Sequence, residues 1–184
     1  GCDIMIIEDK PKVEQALEMI LAANATQVND PVFASELKSW IRFSPSSAVA
    51  ARDALYAACS GNPTLPSLMG GMVFDLVFKA DSENDRTAGQ VRSSSGLAVF
   101  VTEKDDAEHW VRAGQSYQRF ALKTTSLGIR HAFINQPVEV AAVRTAFSNW
   151  LGTKGRRPDL VVRYGYAPRM PRSLRRPVKD VLAV

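Results

Sequence analysis

Residues 105–137 read DDAEHWVRAGQSYQRFALKTTSLGIRHAFINQP, and this stretch decides the fold. Trp110, Ala113, Tyr117, Phe120, Thr124 and Leu127 recur in alternating steps of three and four, the spacing of one apolar helix face. Asp105 and Asp106 suit the helix start, where a carboxylate meets free N–H groups and the positive end of the dipole. Gly128 stands where a glycine in the left-handed conformation ends a helix. The period then changes: Ile129 to Ile134 reads as a strand, and Asn135-Gln136-Pro137 as the polar loop after it.

The flanks repeat the alternation of strand and helix. Upstream, Gly96 to Thr102 is a continuous apolar run with β-branched residues, the pattern of a strand buried on both faces. Asp81 to Val91 reads as a polar helix, and Asp3 to Glu8 as an opening strand. Pro11 suits a first helical turn, after which Val13, Leu17, Ile20, Leu21 and Asn24 keep helical spacing. Asp30-Pro31 starts a second helix with Phe33, Leu37, Trp40 and Ile41 as its apolar face, broken by Ser44-Pro45-Ser46-Ser47. The Ala-rich residues 48–58 fit a helix or a covering loop, and Ser60 to Pro66 is a loop. Leu68 to Phe78 fits a buried helix or one lying over an interface. Downstream, Val140 to Leu151 predicts a helix closed by Gly152, and Asp159 to Tyr166 a strand. Pro168, Pro171 and Pro177 make the tail extended. Strands separated by helices predict a single α/β or α+β domain.

Composition narrows the function. The 184 residues are 46% hydrophobic and 23% charged, which suits one domain with a real core and excludes disorder or a collagen-like chain. No apolar run reaches the roughly 20 residues of a membrane-spanning helix, and no membrane partner is expected. Cys2 and Cys59 are too few for a disulfide framework and are read as unpaired thiols. His109 and His131 lie far apart with no Cys or acidic cluster at metal spacing, so no metal site is expected. Gly-x-Ser-x-Gly, P-loop and dinucleotide glycine patterns do not occur, and no catalytic side chain is singled out. His131 reads as a satisfied core histidine, Trp40, Trp110 and Trp150 as core aromatics, and Arg156-Arg157 as a solvated loop. The net charge of +4 is unevenly placed: Lys154 to Val184 holds nine Lys or Arg and two Asp or Glu. A polyanion is one reading of that excess. However, the arginines are interleaved with prolines and no nucleic-acid module precedes them, so no nucleic-acid partner is expected.

Three segments carry a resemblance: Leu127 to Pro137, Pro158 to Pro168 with its Gly165-Tyr166-Ala167-Pro168, and Pro171 to Val181 with its Arg175-Arg176-Pro177. Together they resemble the FMN-dependent nitroreductase family, and more closely its Tat-pathway-signal or Acg-like branch. The resemblance covers residues 95–182. It extends more loosely upstream through Trp40-Ile41-Arg42-Phe43 and Ser60-Gly61-Asn62-Pro63. It implies an α+β nitroreductase-like fold: a mixed or antiparallel sheet flanked by helices around a long core helix. It also implies FMN bound at a homodimer interface, with Leu68 to Phe78 a candidate interface element. NAD(P)H would pass a hydride through the flavin to a nitro-aromatic or quinone acceptor.

By position, Phe133, Ile134, Asn135 and Gln136 would lie along the isoalloxazine ring. Arg175 would meet the FMN phosphate, a contact that suits the guanidinium fork. Ser173 occupies a position where the family often has a further basic residue, and Arg172 or Arg176 would substitute. The family's Arg-x-Ser-x-Arg helix and its Ser/Asn-x-Gln-Pro-Trp segment do not occur here. With the strand at the very start, this gives the expectation of a nitroreductase-like domain over residues 1–184 that is the C-terminal portion of a longer parent. That parent would be cytoplasmic, or periplasmic behind a twin-arginine signal. The alternative function is a non-enzymatic module that binds or sequesters flavin without a complete active site.

Overall fold

The computed structural model describes residues 1–182. In chain order the elements are β1 (Cys2–Ile7), α1 (Lys10–Val28), α2 (Pro31–Ser39), β2 (Ile41–Arg42), α3 (Pro45–Ala51) and β3 (Leu55–Tyr56). After a 3₁₀ turn at Ala57–Ser60 come α4 (Ser67–Val77), α5 (Ala80–Arg92), β4 (Gly96–Thr102), α6 (Ala107–Ser126) and β5 (Arg130–Phe133). The chain continues with α7 (Gln136–Glu139), α8 (Ala141–Leu151) and β6 (Arg157–Gly165), and a 3₁₀ turn at Val178–Asp180 lies in the tail. Two compact units result: Gly1–Gln27 with Ala80–Ala167, and Val28–Lys79 with the tail from Pro168.

The first unit is an antiparallel sheet in the order β1-β4-β6-β5. β1 pairs with β4 from Cys2↔Thr102 to Ile7↔Leu97. All seven residues of β4 are buried, as its unbroken apolar run predicts, because helices cover both of its faces. On one face Leu97, Val99, Val101 and Val161 pack with Ala16, Leu17 and Ile20 of α1, Ala88 and Val91 of α5, and Phe147 of α8. On the other, Ala98, Phe100 and Val162 meet Tyr117 and Phe120 of α6. The β4–β6 register shifts between Phe100 and Val101, which pair with Leu160 and Pro158 and leave Asp159 as the extra residue. That bulge accommodates a proline, which has no N–H to give a ladder. Asp159 accepts hydrogen bonds there from Thr102 Oγ1 at 2.6 Å and Arg157 Nη1 at 3.0 Å.

Local signals set the helix ends. Asp106 Oδ1 accepts from His109 N at 3.0 Å, and the His109 ring and backbone N–H hold the Asp106 carboxyl below its usual range. Gly128 and Gly152 close α6 and α8 at φ of +74° and +67°, where a side chain would be strained. Trp150 packs against the core and donates to Gln15 Oε1 at 2.9 Å. Trp110 does not join the core: it is exposed on the outer side of α6 and donates to Asp105. Arg156 and Arg157 also depart from expectation. Arg156 pairs with Asp3, and Arg157 opens β6 paired with Asp105 and Asp159.

In the second unit α2 is capped by Asp30, whose Oδ1 accepts from Val32 N at 2.8 Å. It ends at Ser39, earlier than the apolar spacing predicts. Trp40 is its C-cap and is exposed, and Ile41 belongs to β2, which pairs in parallel with β3. Ser44-Pro45 ends no helix; it starts one. Ser44 caps α3 in a capping box with Ser47, and Pro45 takes the first helical position, where no N–H is needed. α4 packs through Gly70 on the Phe43 ring and is braced by the Lys38–Asp75 ion pair. It is not buried, for Leu68, Met69, Met72, Leu76 and Val77 are exposed. No helix among the described residues is long and apolar enough to cross a membrane.

Candidate functional site

The residues expected along the flavin ring form the corner where β5 leaves the sheet. Phe133 is 50% exposed, and its ring lies 4.7 Å from that of Tyr117, tilted by 39°. Tyr117 is fixed in turn by His131. The Tyr117 hydroxyl is 3.1 Å from His131 Nε2, and Thr124 Oγ1 is 3.2 Å from His131 Nδ1. Thr124 donates its hydroxyl proton to the Phe120 or Ala121 carbonyl, at 2.9 and 3.1 Å. It therefore accepts from His131, so Nδ1 carries the proton and Nε2 accepts from Tyr117. A neutral ring fits this arrangement, and burial pushes the imidazole below its ordinary value. His131 is thus a satisfied structural histidine that props an aromatic shelf.

Ile134 turns its side chain into the core beside Val161 and Phe147, and its N–H donates to Val161 O at 2.8 Å. Asn135 Oδ1 accepts from Val161 N at 2.9 Å, so a side chain extends the ladder one step past the strand. Gln136 opens α7 and donates to Asn24 Oδ1 at 3.3 Å, while Asn24 donates to Asn84 Oδ1 at 2.8 Å. Gln136 Oε1 is buried and unpartnered. The side-chain carbonyl of Asn135 and the amide nitrogen of Gln136 are therefore engaged inside the protein. The outward feature of the corner is the Phe133 ring.

Ser173 and Arg175 lie in the second unit. Ser173 is a tether: its Oγ accepts from Tyr56 N at 3.0 Å and donates to Cys59 Sγ at 3.4 Å. Arg175 is exposed and, among the described residues, donates only to the neighbouring Leu174 carbonyl, at 3.1 Å. Among the described residues Arg169, Arg172, Arg175, Arg176 and Lys179 form no ion pair. Arg175 therefore has its charge available for an anion, and Ser173 has its hydroxyl already engaged. The sequence also did not single out an open depression of about 380 Å³ lined by Ser44, Ser46, Thr64 and Ser67 with Pro45, Leu65 and Pro66. It contains none of the expected residues. Its hydroxyls meet only on folding, with Ser44 Oγ 3.2 Å from Ser67 Oγ.

No protein-family model matches the chain, and no curated protein matches it in sequence. In three dimensions it is similar to the crystal structure of the FMN-dependent nitroreductase NfnB from Mycobacterium smegmatis in complex with NADPH. The TM-score is 0.55 at 15% sequence identity, with 100% of this chain and 78% of that chain covered. At that identity the likeness establishes the architecture: the α+β fold of this chain is nitroreductase-like.

Proposed function

We propose that this chain is an FMN-dependent oxidoreductase of nitroreductase type. It takes a hydride from NAD(P)H and delivers it to a nitro-aromatic or quinone acceptor. The observation that carries the reading is the β5–α7 corner, set on a nitroreductase-like fold with an exposed aromatic ring at its edge. Bound FMN would supply the hydride-transfer chemistry. The protein's own part is positioning. Phe133 offers a flat apolar surface, the Tyr117–His131–Thr124 chain keeps that ring from turning, and Asn135 locks the loop to Val161. Arg175, whose guanidinium is not neutralised, is assigned to the FMN phosphate.

The residues fit the cofactor in part. Ile134 and Ser173 have structural work of their own, which leaves Phe133 in the first unit and, separately, Arg175 in the second as the side chains assigned to the cofactor. Purified protein is expected to bind FMN, turn yellow and oxidise NAD(P)H with a nitro-aromatic acceptor. Bound flavin that NAD(P)H leaves oxidised would instead identify a flavin-holding module. Arg175→Gln should weaken FMN about 10- to 100-fold, about 1.4–2.7 kcal/mol, since charge-assisted hydrogen bonds are the strong ones. A fluorescence titration checks this, and unchanged affinity removes Arg175 from the site.

We assign the α4 face to a homodimer contact. Leu68 is 81% exposed and Met72 67%, and Met69, Met72, Val73 and Leu76 follow the i, i+3, i+4, i+7 spacing of a helix–helix seam. Met72→Lys is expected to raise the dimer dissociation constant about 100-fold. Sedimentation of the wild type as a monomer at high concentration would refute the contact.

A further inference from the structure

We propose that Arg86, Arg130 and Arg163 form a binding site for a phosphate-type oxyanion, separate from Arg175 and independent of the flavin reading. The β5–β6 register brings two of them together. Arg130 stands opposite Gly165 and Ala132 opposite Arg163, so Arg130 and Arg163 sit diagonally on one face of the sheet, within reach for long side chains. It is the face that carries Leu97, Val161 and Ile134 and is covered by α1 and α5. Arg86 lies on α5, and its charge opposes that of Arg163.

The charge balance there is unusual. Elsewhere in the unit Arg92, Arg112, Arg156 and Arg157 each hold a carboxylate, half-buried Arg144 donates to the Val138 carbonyl, and Arg119 is exposed. At this cluster Arg86 pairs with Glu83 at 3.7 Å. Among the described residues no carboxylate pairs with Arg130 or Arg163. Arg130 Nε is buried with no partner, and Arg163 is held below its ordinary value by burial and by Arg86. Guanidinium groups keep their charge, and buried charges are ordinarily paired. Arg130 and Arg163, half-buried and without a carboxylate among the described residues, are therefore short of negative charge. A tetrahedral oxyanion supplies it, and planar forks suit its oxygens. All three side chains are partly exposed, so an anion can arrive from solvent. The source is free phosphate or the 2′-phosphate that distinguishes NADPH from NADH.

The test compares melting of the full chain in inorganic phosphate and in chloride at equal ionic strength. Phosphate strengthens burial in any protein, so the readout is the difference between wild type and Arg163→Gln. Wild type is expected to gain about 2–4 °C more than the variant. Without phosphate the variant should melt no lower than wild type, because like charges have been separated. Arg86→Gln, on a helix surface, serves as a second variant if Arg163→Gln does not fold. Arg175 is intact in Arg163→Gln, so a phosphate response lost in that variant does not come from the proposed flavin-phosphate contact. In a parallel arm, stabilisation by NADPH beyond that by NADH, lost in Arg163→Gln, identifies the nucleotide as the source. Equal responses of wild type and both cluster variants to phosphate and to NADPH would overturn the proposal.

Discussion

Phe100→Ala is expected to destabilise the protein by about 3–5 kcal/mol, the range for truncating a buried phenylalanine. Phe100 is fully buried on the central strand. Its ring meets Tyr117 edge-on at 6.0 Å and Phe120 at 5.6 Å. Removing it leaves a cavity between the sheet and α6, and edge-to-face contacts add to the loss. Tyr117 is also the residue that supports Phe133, so the damage reaches the candidate site. Urea unfolding measures the effect. Phe100→Leu, which keeps most of the volume, should lose much less. A loss below about 1 kcal/mol for the alanine variant would mean that α6 does not pack on the sheet as described.

Gly96→Ala is the second large effect, about 1–3 kcal/mol from overpacking. A Cβ at this position would stand 2.7 Å from the Ile7 carbonyl oxygen and 2.8 Å from the Tyr164 hydroxyl. That hydroxyl donates to Glu8 Oε1 at 2.6 Å. Burial and the Glu8 carboxylate together push the Tyr164 phenol far above its ordinary value. The new methyl must displace both the β1 backbone and this hydrogen bond. Adding Tyr164→Phe removes only the hydroxyl clash, so the double variant should regain part of the stability at most. Full recovery would place the strain on the tyrosine alone. In Gly96→Ala the Tyr164 phenol should ionise at lower pH than in wild type, which a spectrophotometric titration follows.

The sheet was legible in the sequence where burial imposes a pattern. Gly96 to Thr102 reads as a doubly buried strand because no polar side chain interrupts it, and the structure buries all seven residues. The α6 face was legible through Ala113, Tyr117, Phe120 and Thr124, whose spacing matches the helical period. Trp110 shares that spacing yet lies outside, because it stands at the first turn and its indole N–H reaches back to Asp105. The β2–β3 pair was illegible: two-residue strands have no period, and Trp40 read as a continuation of α2. Ser44-Pro45 was visible as punctuation, but serine then proline marks a helix start as readily as a stop.

The candidate site divides the same way. The corner at Phe133 to Gln136 was legible as a strand end. The work done there by Asn135 was not, since its acceptor role depends on Val161 N, 26 positions away. Ser173 likewise bonds to Tyr56 N, 117 positions away, a link that no local signal announces. The basic tail was visible as composition. Pairing, which only the fold reveals, separates its unneutralised arginines from those that hold carboxylates.

The strand order also bears on how the molecule forms. β1 is the first strand in the chain, yet its partner is β4, with Cys2 facing Thr102 and Ile7 facing Leu97. β4 in turn needs β6, which begins at Arg157. Each of these pairings closes a long loop before any ladder hydrogen bond rewards it, which slows folding. During synthesis the first strand must wait for β4, and β4 for β6, so the sheet completes only after Gly165 has emerged. Until then β1 and β4 are strands without a full set of neighbours, and their apolar residues are open to capture by other chains.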